Sequence, residues 1–360
     1  MSSDLGHSSP FLHEKGGQRR TRARALRAVP AAALVFTVLA VPGQAEALGD
    51  PKIYVANSSG NSVSVVDAGS NTVVATIPVT EPYDVATTSS PTPRAYVTSS
   101  AGTVTVIDTT RDVIVGTIPV GGQPTGVAIS NDLRRAYVTN YAAPFVTVID
   151  TTTNSVVGTI PLGATSMDIA ILDARTYHVA YVTNYEEGTL SVIDLTHNTV
   201  AGAIPVGLFP DGVAASDDLS SPRVYVANSG ETTLTVLDAR LGITTVNLGT
   251  HALPRSLAID TDAFDPRVYV AGPALQQTAF PTVTFYQDAV AVIDADTNTV
   301  VRRFDSPSAT AVAISEGLAS PRLYVLTSDP DVMRVLDPAT GSTVATVPVG
   351  AGPTALAIQP

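Results

Sequence analysis

The phrase "AYVTNY" stands at 136–141 and again at 180–185, and each copy runs on through Val-Ile-Asp to Ile-Pro. Aligned on its tyrosine, the pattern occurs at Tyr54, Tyr96, Tyr137, Tyr181, Tyr225, Tyr269 and Tyr324, spaced 41 to 55 residues apart. An aspartate closes the apolar run that follows each tyrosine: Asp67, Asp108, Asp150, Asp194, Asp238, Asp294 and Asp337. Periods in the low forties, with several short β-branched segments per unit, are the signature of propeller blades.

Each unit yields four strands, as in "TGVAIS", "RAYVTN", "VTVID" and "VVGTIP" of the third. Four residues after each aspartate stands Asn71, Asp112, Asn154, Asn198, Gly242, Asn298 or Gly341, all residue types that tolerate left-handed backbone. The aspartate accepts a hydrogen bond from the backbone two residues on, so the spacing predicts a tight Asx hairpin. These aspartates are therefore read as structural. The repeat opens on the last three strands of a unit, at "KIYVANS", and the chain finishes on a first strand, "PTALAIQP". The phase predicts an all-β, seven-bladed propeller of four-stranded antiparallel blades, closed by the C-terminal strand joining the N-terminal three. Closure should also leave no exposed sheet edge.

"AYVTNY…VTVIDTTTNSVVGTIPLG" resembles the YVTN-repeat β-propeller family, and the resemblance covers residues 52–360. It implies a secreted or surface protein. Related propellers include lactonases, lyases and quinoprotein dehydrogenases, so the resemblance alone assigns no chemistry. The chain has no Trp, which departs from the tryptophan-docked blades of quinoproteins, and no cofactor is expected.

Residues 1–47 read differently. Arg19, Arg20, Arg22, Arg24 and Arg27 precede the apolar stretch "VPAAALVFTVLAV" and the small-x-small site Ala45–Ala47. This is the layout of a secretory signal cleaved after Ala47. Its apolar stretch is shorter than the ~20 residues of a membrane span. The expectation is a single propeller over 48–360, a monomer, secreted or associated with the cell envelope. Residues 1–47 hold six of the 20 Lys and Arg and three of the 32 Asp and Glu, so the remainder carries 14 against 29, a net charge of −15. That balance argues against nucleic acid and anionic lipid as partners. With no cysteine, thiol and zinc–thiolate chemistry are excluded.

In such a blade the loops between strands two and three, and between successive blades, emerge on one common face. The blade-start positions Tyr83, Thr125, Met167, Asp211, Arg255, Thr310 and Thr354 should ring the channel mouth, followed by Asp84, Gly126, Asp168, Gly212, Ser256, Ala311 and Ala355. Asp84, Asp168 and Asp211, with Glu81 behind them and Arg255 facing them, make an acidic rim suited to a divalent cation or to an amine or polyhydroxylated ligand. Tyr141, Tyr185 and Phe209 share that face and suit stacking on a ligand. An insertion in the sixth unit, at about 271–288, brings Phe280, Phe285 and Tyr286 to the same face as a lid or a small extra hairpin.

Two functions follow. The first is a binding scaffold that recognises a glycan, peptide or protein partner through the top face. The second is a small-molecule enzyme at the channel mouth, a lyase or lactonase, with His251, Asp211 and Arg255 as its acid–base set. His178 and His197 belong to the opposite face, so a three-histidine metal site is not available.

Overall fold

The computed structural model describes residues 50–88, 92–174, 177–216, 222–238, 242–249, 253–261, 265–272, 277–279, 282–284, 288–315 and 320–359. These form seven four-stranded antiparallel sheets and one two-stranded ribbon. Blade 1 is the closing blade: Pro353–Gln359 pairs with Lys52–Asn57, which continues to Ser62–Asp67 and Thr72–Pro78. Its register sets Ala56 opposite Ala355 and Tyr54 opposite Ala357. Blades 2 to 7 start with the inner strands Pro82–Thr87, Pro124–Ser130, Ser166–Ala174, Pro210–Ala215, Ser256–Asp260 and Ala309–Ile314. Successive inner strands touch around a complete circuit, blade 7 against blade 1 included.

The letters of the repeated phrase have separate physical roles. The tyrosine is buried in six of the seven units, Tyr181 being half-buried, and in the first blades its hydroxyl reaches the outer hairpin of the next blade: Tyr54 donates to Asp112 Oδ1 and Tyr96 to Asn154 Oδ1, both at 2.7 Å. The threonine donates to the next inner strand. Thr98 reaches the Thr125 carbonyl at 2.6 Å, Thr139 that of Met167 at 2.8 Å and Thr183 that of Asp211 at 2.8 Å. The asparagine ties its own loop, as where Asn184 Nδ2 donates to Thr189 and Ser191 hydroxyls at 2.8 and 2.9 Å. Between the blades lie seven apolar clusters of Val, Ile, Leu, Ala and the buried tyrosines, so the core is a set of inter-blade layers.

The Asx hairpins form as expected. Asp67 Oδ1 accepts the Ser70 amide at 2.7 Å and Asp194 Oδ1 the Thr196 amide at 2.8 Å. Asn71, Asp112, Asn154, Asn198, Asn298 and Gly341 all adopt positive φ, between 52° and 74°. Gly242 departs from the set: its amide donates to Asp238 Oδ1 at 2.8 Å. The hydrogen bonds from Ser70 hold the Asp67 carboxyl below the ordinary carboxylate range, and those from Thr297 do the same for Asp294.

The expectation of no exposed edge is corrected. Closure removes the open ends of the ring, but each blade keeps an outermost strand paired on one side only. Those strands expose apolar residues, including Val74, Val115, Val157, Val301 and Val344. Each of these five is the extra residue of a β-bulge in the same place, as where Val148 opposes Gly158 but Ile149 opposes Val156. Repeated bulges twist an edge away from a second strand, which is how a chain without closed blades limits edge-to-edge pairing.

Candidate functional site: the channel mouth

The inner strands start at one end of the channel, and residues at their starts surround a cavity of about 320 Å³. Its wall includes Tyr83, Asp84, Met167, Asp168, Asp211 and Arg255, completed by the strand starts of blades 6, 7 and 1. Thr125 is the exception among the expected rim residues. It is buried, and its hydroxyl donates to the Ser166 carbonyl at 3.1 Å.

Two of the three carboxylates join blades. Asp84 Oδ1 accepts its own strand's Val85 amide at 2.8 Å, and Oδ2 accepts the Val127 amide of blade 3 at 2.9 Å. Asp168 repeats this one blade pair later, with Ile169 at 2.8 Å and Val213 of blade 5 at 2.9 Å. In blade 6, the Ser256 hydroxyl accepts the Val312 amide at 3.2 Å. The blades between carry glycine because there is no room for more. A Cβ on Gly126 would lie 2.9 Å from Asp168 Cα, and one on Gly212 would lie 2.0 Å from the Arg255 carbonyl oxygen. Seven being odd, the alternation ends in two small residues, Ala311 and Ala355.

Asp211 is different. Among the described residues its carboxylate takes no backbone donor, and its polar partner is Arg255, Nε to Oδ2 at 3.5 Å. Arg255 thus stands beside Asp211 rather than opposite it, with its side chain more than half exposed. Burial pushes the Asp211 carboxyl up to about 6 in spite of Arg255. Burial also raises Asp84, against the two amide donors, and raises Asp168, where the Asp84 charge adds to the effect. Burial raises the Tyr83 phenol as well, and the Asp211 charge adds to it. The mouth therefore gathers three carboxyl groups and one guanidinium in shielded surroundings that make negative charge costly.

The remaining expected residues fall outside the cavity. Glu81 is exposed on the connection into blade 2, its amide donating to Asn61 Oδ1 at 2.8 Å. Tyr141, Tyr185 and Phe209 do come together: Tyr141 meets Tyr185 edge-on at 6.3 Å, and Tyr185 stacks on Phe209 at 5.2 Å. They form an aromatic ledge across blades 3, 4 and 5, with Phe209 held at φ 48° and exposed beside Leu208. His251, Phe280, Phe285 and Tyr286 lie outside the described residues. Within the insertion, Gln277–Ala279 pairs with Thr282–Thr284 as a two-stranded ribbon.

The divalent cation expected at the rim finds no triad among the described residues there. Among the described residues, the one group of three donors close enough to share an ion is Asp132, Asp173 and His178, where Asp173 already accepts from the Ser130 hydroxyl and contacts His178. Sequence reasoning missed that cluster because Asp132 and Asp173 belong to neighbouring blades. It also missed the inter-blade role of Asp84 and Asp168, for which the Asp–Gly alternation of the blade starts was the available signal.

A family model described as "Cytochrome D1 heme domain" matches residues 52–185, which is blades 1 to 3 and the start of blade 4. No curated protein matches the chain. Among solved structures, the chain is similar to the Kuenenia stuttgartiensis hydrazine synthase, with 20% identity and a TM-score of 0.66 over 80% of this chain and 92% of that one. It is similar to the dihydro-heme d1 dehydrogenase NirN in complex with DHE, with 17% identity and a TM-score of 0.59 over 85% and 74%. A functionally unknown protein from Desulfotomaculum acetoxidans DSM 771 aligns over 86% of this chain and 99% of its own, with 17% identity and a TM-score of 0.70. At such identities the likeness is one of fold, and it places the chain among propellers.

Two of these names carry a haem. Haem iron takes His, Cys, Met or Tyr. The chain has no Cys, and the described wall offers only Met167 and Tyr83. Tyr83 is held as the neutral phenol by burial and by Asp211, whereas an iron-bound tyrosine is a phenolate. Three carboxylates against one guanidinium would also repel the carboxylates of a haem. The described residues at the mouth do not fit a haem.

Proposed function

We propose that this chain is an exported, non-catalytic binding propeller of the YVTN-repeat type, whose channel mouth captures a ligand presenting a positive charge. One observation carries the reading. Asp84, Asp168 and Asp211 converge with Tyr83 on a single shielded cavity whose described wall holds one cation, Arg255, already beside Asp211. An ammonium placed there would compensate charge that burial otherwise makes costly. Of glycan, peptide and protein ligands, the acidic wall favours those that carry an amine, such as a lysine-bearing peptide or an amino sugar. The ledge of Tyr141, Tyr185 and Phe209 supplies a neighbouring surface on which the rest of such a ligand stacks.

Export is supported by the basic, apolar and small-residue order of residues 1–47. The acid–base enzyme reading has no observation of its own, since His251 lies outside the described residues.

The test is a thermal-shift series on the purified protein, comparing a lysine peptide and glucosamine with their uncharged counterparts, acetyl-lysine peptide and glucose. Binding to the folded state raises the melting temperature by mass action. The amines should raise it and the neutral partners should not, and Asp211→Asn should reduce the rise. Equal behaviour of charged and neutral partners would refute the reading.

A further inference from the structure

The channel continues below its acidic mouth. A second cavity, of about 540 Å³, lies against the inner strands of blades 5, 6, 7 and 1. Leu257, Val312 and Leu356 line both cavities, so the two compartments share a wall. Below that level the wall is largely aliphatic, with Ile259, Ile314 and Ile358, a series of alanines between them, and Thr261 and Ser315 as its hydroxyl-bearing members. The alanines keep the bore wide while the isoleucines keep it apolar. Negative charge sits above: Asp84 and Asp168 have no cationic partner among the described residues, and Asp211 shares Arg255.

We propose that the channel takes an amphipathic organic cation, a primary alkylamine, with its ammonium among Asp84, Asp168 and Asp211 and its hydrocarbon chain in the lower bore. This rests on the channel-mouth reading above and adds the ligand's second half. A short polyamine would satisfy the carboxylates but leave the aliphatic wall without a partner. A fatty acid would fill the bore but set carboxylate against carboxylate at the mouth. Only a ligand with both ends matches both compartments. Leu257 to Thr261 spans four residue steps, about 13 Å at the ~3.3 Å rise of a strand, which suits an extended alkyl chain.

The experiment is isothermal titration of the purified protein at pH 8 with ethylamine, butylamine, hexylamine and octylamine, with putrescine and octanoate as controls. Each methylene entering the bore should tighten binding roughly fourfold, the ratio given by ~0.8 kcal/mol per buried CH₂. Octanoate should not bind, and Asp211→Asn should weaken hexylamine at least tenfold. Ala313→Leu, which narrows the lower bore, should weaken octylamine while sparing ethylamine. If that variant does not fold, the chain-length series on the unaltered protein decides alone. Amines that bind equally whatever their length would overturn the alkyl-chain inference and leave the channel-mouth reading standing. Failure of every amine would remove both. Octanoate binding as tightly as octylamine would overturn the inference by showing that charge is not selected.

Discussion

Asp168 Oδ2 accepts the Val213 amide at 2.9 Å across the boundary between blades 4 and 5. Asp211, only two residues before Val213, accepts no backbone donor at all among the described residues. The two carboxylates line one cavity yet hold different positions in the structure: one joins blades and the other faces the channel with Arg255 beside it. Removing them should therefore have different consequences. Asp168→Ala strands two amides and should cost about 2 kcal/mol, whereas Asp211→Ala should stay within about 0.5 kcal/mol. Chemical denaturation of the two variants measures the difference, and equal costs would contradict the assignment.

The same acids predict how stability varies with pH. Their pKa values are raised in the folded chain, so between the unfolded value and the folded one the native state holds protons that the unfolded state has lost. Their contribution is complete below the unfolded value near 3.8 and declines as pH rises through the folded values, which for Asp211 is about 6. The hairpin aspartates, such as Asp67 and Asp294, have the opposite sign and lose their contribution as pH falls below the ordinary carboxylate range. The melting temperature should accordingly peak near mildly acidic pH and fall toward pH 8. Asp84→Asn combined with Asp168→Asn should flatten the alkaline limb and leave the acid limb unchanged.

Glycine has one meaning in the inner strands and another in the outer ones. A Cβ at Gly212 would meet the Arg255 carbonyl oxygen at 2.0 Å, while one at Gly202 would meet nothing within 4 Å. Gly212→Ala should cost about 1–3 kcal/mol by forcing blades 5 and 6 apart. Gly202→Ala, on the exposed strand Thr199–Pro205, should be neutral or mildly stabilising. Urea titrations of the pair check this, and a tolerated alanine at 212 would mean that the blades are looser than described.

The tyrosines of blades 1 to 3 make a directional link from each blade to the next. Tyr96→Phe removes the hydroxyl that donates to Asn154 Oδ1 at 2.7 Å and should cost about 1 kcal/mol without changing the far-ultraviolet spectrum. Adding Asn154→Gly, which keeps the left-handed turn, should cost less than the sum of the single changes, because both remove one hydrogen bond. Strict additivity would show that the contact contributes nothing.

How much of this was legible in the sequence depends on the kind of fact. The phase of Tyr54 to Tyr324 specifies a closed seven-fold ring, because one blade can be completed only by joining the two ends of the repeat. Ring position follows from phase, and so Asp84, Asp168, Asp211 and Arg255 were placed together from the sequence. What their lone pairs do was not legible, since the Val127 and Val213 amides come from the following blade. Thr125 shows the same limit: its position is that of a rim residue, but its hydroxyl turns to Ser166 and buries the side chain. The outer edges were misjudged for a related reason. A bulge at Val157 or Val301 depends on register against the neighbouring strand, and alternation alone does not reveal it.

Every placement at the channel mouth depends on the pairing of Pro353–Gln359 with Lys52–Asn57. The chain contains no cysteine, so the pairing has a clean probe in Ala56→Cys combined with Ala355→Cys, two positions directly opposite in the register. Thiol titration after mild oxidation should find both sulfurs joined, with a melting temperature above that of the reduced form. Two free thiols in a folded protein would show that the ring is not closed by its own ends, and the carboxylate mouth would lose its basis.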